Sequence, residues 1–424
     1  MRFRLPGGLT LPAFGQKRRY SPHGPVILYQ PRRHLAFSAR WACDDDAIRL
    51  DHLIGLERSG SAAELCARYR DQVTPGLNVV AADVDGAVIY QAVGSVPRRG
   101  FSPPRGPIPG DGRHEWAGIV APDSMPAWRA PAGGFVVNAN NLPAVVPREP
   151  WPRYDWAHDR AARIAQRLAF DRQITLADLM SVQNDVFSRG AERLVPRLVR
   201  CADSLGASLG PRARAALDTL RSWDDRARTP RVGPTLFRAW YGALQRRSDL
   251  GGLQGLTAAA LDGRAPEALA GPDGRPERAA LAAVAALDTA LARLEALLGP
   301  STSRWSWGRA HRARFKHALR WPAPGFDPAP VTADGDNSTP CVGRSSLPWS
   351  VEFSHGPVFR HVVDLAAPDS SLGLVVPGNS GDPASGHATD LERRWANHGY
   401  VPFLMDWSRI ESVKERETTL APER

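Results

Sequence analysis

The chain has 424 residues, 43% of them hydrophobic, enough to bury a large core, and by length reads as two or three domains of a globular protein rather than a disordered one. Its formal charge of +10 comes almost wholly from arginine, since lysine occurs only at Lys17, Lys316 and Lys414. The arginines are spread among Ala, Gly and Pro and form no basic cluster. This argues against a nucleic-acid partner and for a general Arg and Ala bias.

No stretch approaches the roughly 18 apolar residues that cross a bilayer, so no membrane is expected as a partner. The start, Met1 to Tyr20, holds basic residues without a continuous apolar run and reads as no signal peptide. Cys43, Cys66, Cys201 and Cys341 make no CxxC pair and read as isolated thiols, with one disulfide left open.

From about Val26 to Val146, short apolar runs broken by Gly, Pro and Asp predict strands joined by tight turns: VILYQ, LNVVAADVDGAVIYQAVG and GGFVVNANN. Asp85-Gly86 marks a hairpin. After Pro152 the pattern changes. Apolar residues recur at helical spacing from Tyr154 to about Leu298, as at Ile164 and Leu168, then Leu176, Leu179, Val182 and Val186. Thr175 and Asp178 read as a helix start.

Gly251 to Arg278, rich in Gly, Pro and Ala, reads as loop, and Pro322 to Ser346 lacks any period. Strands return from Val351, followed by a short helix near Asp390 to Asn397. The divisions are a strand-rich part at 1–150, a helical insert at 151–321, and a closing part of loop, strands and helix at 322–424. The words HGPV at 23–26 and again at 355–358 are too short to define a repeat.

Several phrases occur in one order: HGPV at 23–26, Arg40-Trp41, ADVDGAVIYQAVGSVPRR, PPRGPIPG, EWAGIVAPDSMP, GGFVVNANNLP, DRAARI at 159–164, ITLADLMSVQNDVFS, RSWDD, WSWGRAHRARFKHAL, VFRHVVDL and PGNSGDPASGHATDLERRWANHGYVPF. Together they resemble the penicillin amidase family from about His23 to Trp407. The resemblance implies an α+β fold, here part of the αββα sandwich of the N-terminal-nucleophile hydrolases with a large helical insert. It implies hydrolysis of a small-molecule N-acyl substrate, of penicillin or acyl-homoserine lactone type, through an acyl-enzyme ester.

In that family a chain-starting Ser attacks the amide, its own α-amino group serving as base, which is sensible for an amine titrating near ~8. The first Asn of a paired-Asn phrase donates to the oxyanion. Asn140 matches it, against the alternative of a turn residue tolerant of left-handed backbone. An Arg opening the next helical phrase supports that Asn, and Arg160 matches it, against the alternative of an exposed helix arginine.

The nucleophile is absent: the family's Ser is followed by Asn, and no Ser-Asn pair occurs in the chain. An upstream acylase chain, or a missing N-terminal half, is therefore the expected partner. The alternative is an inactive remnant of an acylase gene. For calcium, the resemblance offers only the Pro104 carbonyl and Glu149, far short of the about six to eight oxygens required, so no cofactor is expected in this chain although a complete family member could bind one. Family members are usually exported.

Ser380, His387 and Asp390 invite a triad reading, but a nucleophile elbow needs Gly where Asp382 stands. His311 and His317 lack one-face spacing for a metal and read as structural. Trp305 and Trp307 read as core aromatics.

Overall fold

The computed structural model describes residues 3–4, 10–11, 18–43, 54–70, 76–101, 106–131, 134–142, 158–169, 173–206, 209–246, 276–317 and 327–420. Two compact units result, Met1–Trp156 and Ala157–Arg424. The helices and the returning strands share the second.

In the first unit, β1 (Gly24–Gln30) and β2 (Leu35–Ser38) form an antiparallel hairpin. A helix, α1 (Ala62–Arg70), precedes a three-stranded sheet of β3 (Leu77–Ala82), β4 (Val88–Val93) and β7 (Ala127–Arg129), with β4 central. A separate pair joins β5 (Pro97–Arg99) to β6 (Trp116–Ile119).

The hairpin expected at Asp85-Gly86 is present, with Leu77 opposite Val93 and Ala82 opposite Val88. Asp83 organises it: its Oδ1 accepts from the Ala87 amide at 3.0 Å, and its Oδ2 accepts from the Ala62 amide at 3.0 Å, tying the turn to the start of α1. Gly86 takes φ +85°, where a side chain would be strained.

Apolar residues occupy both faces of β4 because both are covered. Ile89 and Val93 pack with Val79, Ala81, Ala62 and Cys66 on one side, and Tyr90 and Ala92 with Val120 and Met125 on the other. Tyr90 stacks on Trp128 at 3.9 Å, and burial pushes its phenol up to about 12.

The phrase GGFVVNANN departs from its strand expectation. Residues 134–142 enter no ladder, and side chains take amides that a ladder would use: Asn138 Oδ1 accepts from the Asn140 amide at 3.2 Å, and Asn141 Oδ1 from the Ala139 amide at 3.0 Å.

In the second unit, α2 (His158–Leu168), α3 (Leu176–Gln183), α4 (Arg189–Asp203), α5 (Pro211–Arg221), α6 (Gly233–Gln245) and α7 (Pro276–Leu298) bear out the helical periodicity. Thr175 and Asp178 form a reciprocal capping box on α3. The α4–α7 core buries Leu198, Leu217, Phe237, Trp240, Leu287 and Leu294. Helix α7 begins at Pro276, inside the stretch expected as loop; proline fits the first helical position, where no amide donor is needed. Residues 247–275 lie outside the described set.

Helix α8 (Trp307–Ala310) leads into β8 (Arg312–Ala313), which lies between β9 (Val331–Thr332) and β10 (Glu352–Phe353). A second sheet joins β11 (Phe359–Val362), β12 (Leu372–Val375) and β13 (Val401–Pro402), with α9 (Glu392–Ala396) and α10 (Trp407–Ser412) beside it in sequence. All four cysteines are free thiols. Among the described residues no helix is long and apolar enough to cross a membrane.

Candidate active site

Asn140 lies in the first unit at the bend ending GGFVVNAN. It is exposed and holds φ +63°, the left-handed region that Asn tolerates better than other non-glycine residues. The Asn138 and Asn141 side chains bracket it by bonding the Asn140 and Ala139 amides. Two successive Asn caps therefore fix the backbone and present an exposed side-chain amide between them, so the turn conformation and a donor role are compatible in one residue.

Arg160 lies in the second unit, in the first turn of α2. It is half-buried, and burial lowers its guanidinium pKa. Arg163 and Arg167 recur on the same helix face, as i+3 and i+7 spacing dictates. They converge on Asp185: Arg163 Nε donates to its Oδ2 at 2.8 Å and Arg167 Nη1 to the same oxygen at 3.2 Å. The Asp185 Oδ1 accepts from the Phe187 amide at 2.8 Å, and Arg163 lies 4.6 Å over the Phe187 ring. Beside Arg160, Asp159 pairs with Arg193 at 2.7 Å. Helix α2 is thus pinned by the buried carboxylate of Asp185 and the half-buried one of Asp159, which sets the helix carrying Arg160.

Pro104 and Glu149 lie outside the described residues. Among the described residues no group of three His, Cys, Asp or Glu side chains is arranged to hold a metal.

The serine–histidine–aspartate alternative fails on geometry. Nδ1 of His387 meets Asp390 Oδ2 at 2.9 Å, but its Nε2 meets Glu415 Oε2 at 2.8 Å rather than a serine. The Ser380 hydroxyl instead accepts from the Asp382 amide at 3.1 Å. Both carboxylates hold the exposed imidazole above its ordinary pKa, Asp390 first.

His311 is buried between the rings of Trp307 and Phe353, at 4.3 and 4.0 Å. Its Nδ1 lies 2.8 Å from the Ala333 carbonyl and its Nε2 3.1 Å from that of Gly343. Two acceptors would favour an imidazolium, yet complete burial dominates and pushes the pKa down to about 4. His317 Nε2 lies 2.8 Å from the Gly381 carbonyl. Trp305 and Trp307 are fully buried, their indoles donating to the Gly299 and Gly335 carbonyls at 2.8 and 2.9 Å.

Sequence reasoning passed over a buried polar knot. Ser188 Oγ and Ser338 Oγ lie 2.8 Å apart, and Ser338 donates its amide and hydroxyl to Asp336 Oδ1 at 2.6 and 3.0 Å. The residues are 150 positions apart along the chain, so only the run Asp334, Gly335, Asp336, Asn337, Ser338 hinted at it, as a turn. In RSWDD, Asp225 is pushed up to about 6, by burial first and then by Glu192 and Asp224.

The penicillin amidase family model matches residues 13–412. The chain is 28% identical over 426 residues to penicillin acylase 2 proenzyme of a Pseudomonas species, covering 94% of this chain and 53% of that protein. It is 27% identical over 422 residues to acyl-homoserine lactone acylase QuiP of Pseudomonas putida, covering 88% and 50%. The chain thus spans about half the length of these curated relatives. Its fold is similar to that of a thermostable penicillin G acylase from Alcaligenes faecalis, with a TM-score of 0.64 at 18% identity, over 100% of this chain and 81% of that one.

Proposed function

Because the chain belongs to the penicillin amidase family, we propose that it is the downstream part of an acylase that hydrolyses N-acyl amide bonds in linear amides of penicillin or acyl-homoserine lactone type. The observation carrying this reading is the family match over residues 13–412, together with relatives whose names are those of acylases acting on such compounds. In this reading the fold is part of an αββα sandwich carrying the helical part as an insert, and the chain-starting Ser belongs to an upstream partner.

The chemistry then divides between the two parts. The upstream Ser hydroxyl attacks the amide carbon and passes its proton to the α-amino group. A C–O bond forms, and negative charge collects on the carbonyl oxygen. Collapse breaks the C–N bond, the amine leaves with the proton, and water cleaves the resulting ester by the same route. This chain contributes Asn140 as the side-chain donor to the oxyanion, and Arg160 is the second residue that the family resemblance assigns to the reaction. The side-chain amide supplies a fixed dipole that needs no reorganisation as the charge grows. The Pro104 and Glu149 oxygens are too few for a calcium site, and calcium enters none of these steps.

The exposed apolar side chains of the β1–β2 hairpin support an upstream partner. Ile27 is 71% exposed, with Leu28, Tyr29 and Leu35 also open to solvent, and β2 is an edge strand among the described residues.

The test is co-expression with an upstream half beginning Ser-Asn. We expect amine release from a penicillin or acyl-homoserine lactone, with a burst abolished by a serine-acylating inhibitor, and no release from this chain alone. A joined protein that folds without any release identifies an inactive remnant. Activity of this chain alone would overturn the assignment of the nucleophile.

A further inference from the structure

The turn after Ser345 approaches α6 more closely than a side chain would permit. A Cβ at Gly242 would lie 2.1 Å from the Leu347 carbonyl oxygen, so glycine is required where the turn rests on the helix. Leu347 joins the helical core, and the Trp349 amide donates to the Ser346 carbonyl at 3.0 Å. Trp349 is thereby seated beside Arg246, one helical turn beyond Gly242 on the same face of the segment.

Two cations meet at this indole. The guanidinium carbon of Arg246 lies 4.4 Å from the ring centroid and that of Arg293, from α7, lies 4.7 Å away. Both arginines are exposed, and no ion pair among the described residues includes either. On the neighbouring helix α5 exposed arginines do find acids, as Arg212 finds Glu295, and Arg221 finds Asp203 and Asp218. The Trp349 indole N–H, closed to solvent, has no acceptor among the described residues.

Cation–π attraction holds each guanidinium to the ring and leaves its N–H groups open to solvent. A ligand with two or more anionic oxygens supplies the acceptors that these planar donor forks match. We propose that Arg246, Arg293 and Trp349 form a binding site for a small oxyanion, either a carboxylate or a phosphate. The position of Arg246 at the C-terminal end of α6 accounts for one cation through the helix dipole. It does not account for Arg293, which lies within α7.

The test uses the full chain labelled with 5-fluorotryptophan, Trp349→Phe identifying the fluorine signal. Sodium phosphate and sodium acetate are titrated separately against sodium chloride at constant ionic strength. We expect a saturable shift of the Trp349 signal in the millimolar range, weakened about tenfold by Arg246→Gln or Arg293→Gln and less by Arg293→Lys. Saturation with phosphate alone, or with acetate alone, fixes which oxyanion the site takes. If neither anion gives saturation, or if the shift survives both glutamine variants unchanged, no such site exists. Either single variant suffices should the other fail to fold.

Discussion

The β1–β2 hairpin and the α4–α7 core treat large apolar side chains in opposite ways. In the hairpin Ile27, Tyr29 and Leu35 face solvent, whereas in the helices Phe237, Trp240, Leu217 and Leu287 are almost wholly enclosed. Even the polar atom of Trp240 is satisfied inside, its indole donating to the Ala283 carbonyl at 2.8 Å. The helical core supplies its own partners. The hairpin leaves apolar side chains on both of its faces, Tyr29 on one and Leu28 and Leu35 on the other, uncovered by the described residues, as an unfilled interface would. Stability should therefore reside in the helices and association in the hairpin.

The largest effect is expected at Trp240. Trp240→Ala removes an enclosed ring and its indole bond to the Ala283 carbonyl, costing about 3–5 kcal/mol. Urea unfolding followed by circular dichroism measures it. A loss below about 1 kcal/mol would show that the helices do not carry the stability of the chain.

Where contacts are local, the sequence announces them. Thr175 and Asp178, three positions apart, signal a helix start, Asp85-Gly86 a hairpin, and the three- to four-residue spacing a helical core; all are present. Asn140 is harder to read because one chemical property serves two ends. Its tolerance of left-handed backbone predicts the turn, while only the family phrase points to the oxyanion. The Ser188–Ser338 contact and the Arg246–Trp349–Arg293 group join distant segments, and no periodicity encodes them. The expected strand in GGFVVNANN failed because alternation reports apolar faces but not competition from Asn side chains for backbone amides.

Within the joined enzyme, Asn140 separates catalysis from folding. Because the backbone there is left-handed, Asn140→Ala mixes lost chemistry with strain, whereas Asn140→Gly keeps the turn and deletes only the amide. Asn140→Gly should lower kcat by about 10²–10³, near 3–4 kcal/mol, with little change in KM. Asn141→Gly removes the cap on the Ala139 amide and should cost far less in kcat. Equal losses in the two variants would return Asn140 to a turn role alone.

Acid should weaken the second unit through His311. Its folded pKa, about 4, lies below the ordinary value near 6.5, so the unfolded chain binds the proton more readily. The contribution is fully present above about pH 6.5 and is lost progressively as pH falls toward 4, reaching about 3 kcal/mol. Comparing wild type with His311→Gln by urea unfolding at pH 7 and pH 4.5 isolates this slope from that of the carboxylates. Parallel losses in the two proteins would show that His311 is not the titrating group.

The smallest effect on stability, and the sharpest contrast with Trp240, is expected at Ile27. Its side chain is mostly exposed on β1, so Ile27→Thr keeps a β-branched residue suited to a strand and removes little buried area. The unfolding free energy should move by no more than about 0.5 kcal/mol. Association should respond much more, because the substitution removes the most exposed apolar side chain of β1 next to an edge strand. Light scattering of the chain alone is expected to show oligomers for wild type and a shift toward monomer for Ile27→Thr. The same substitution should weaken co-purification with the upstream half. A monodisperse wild-type monomer that melts cooperatively, or a loss of stability at Ile27 comparable with that at Trp240, would mean that the hairpin face is part of the folded core rather than an interface.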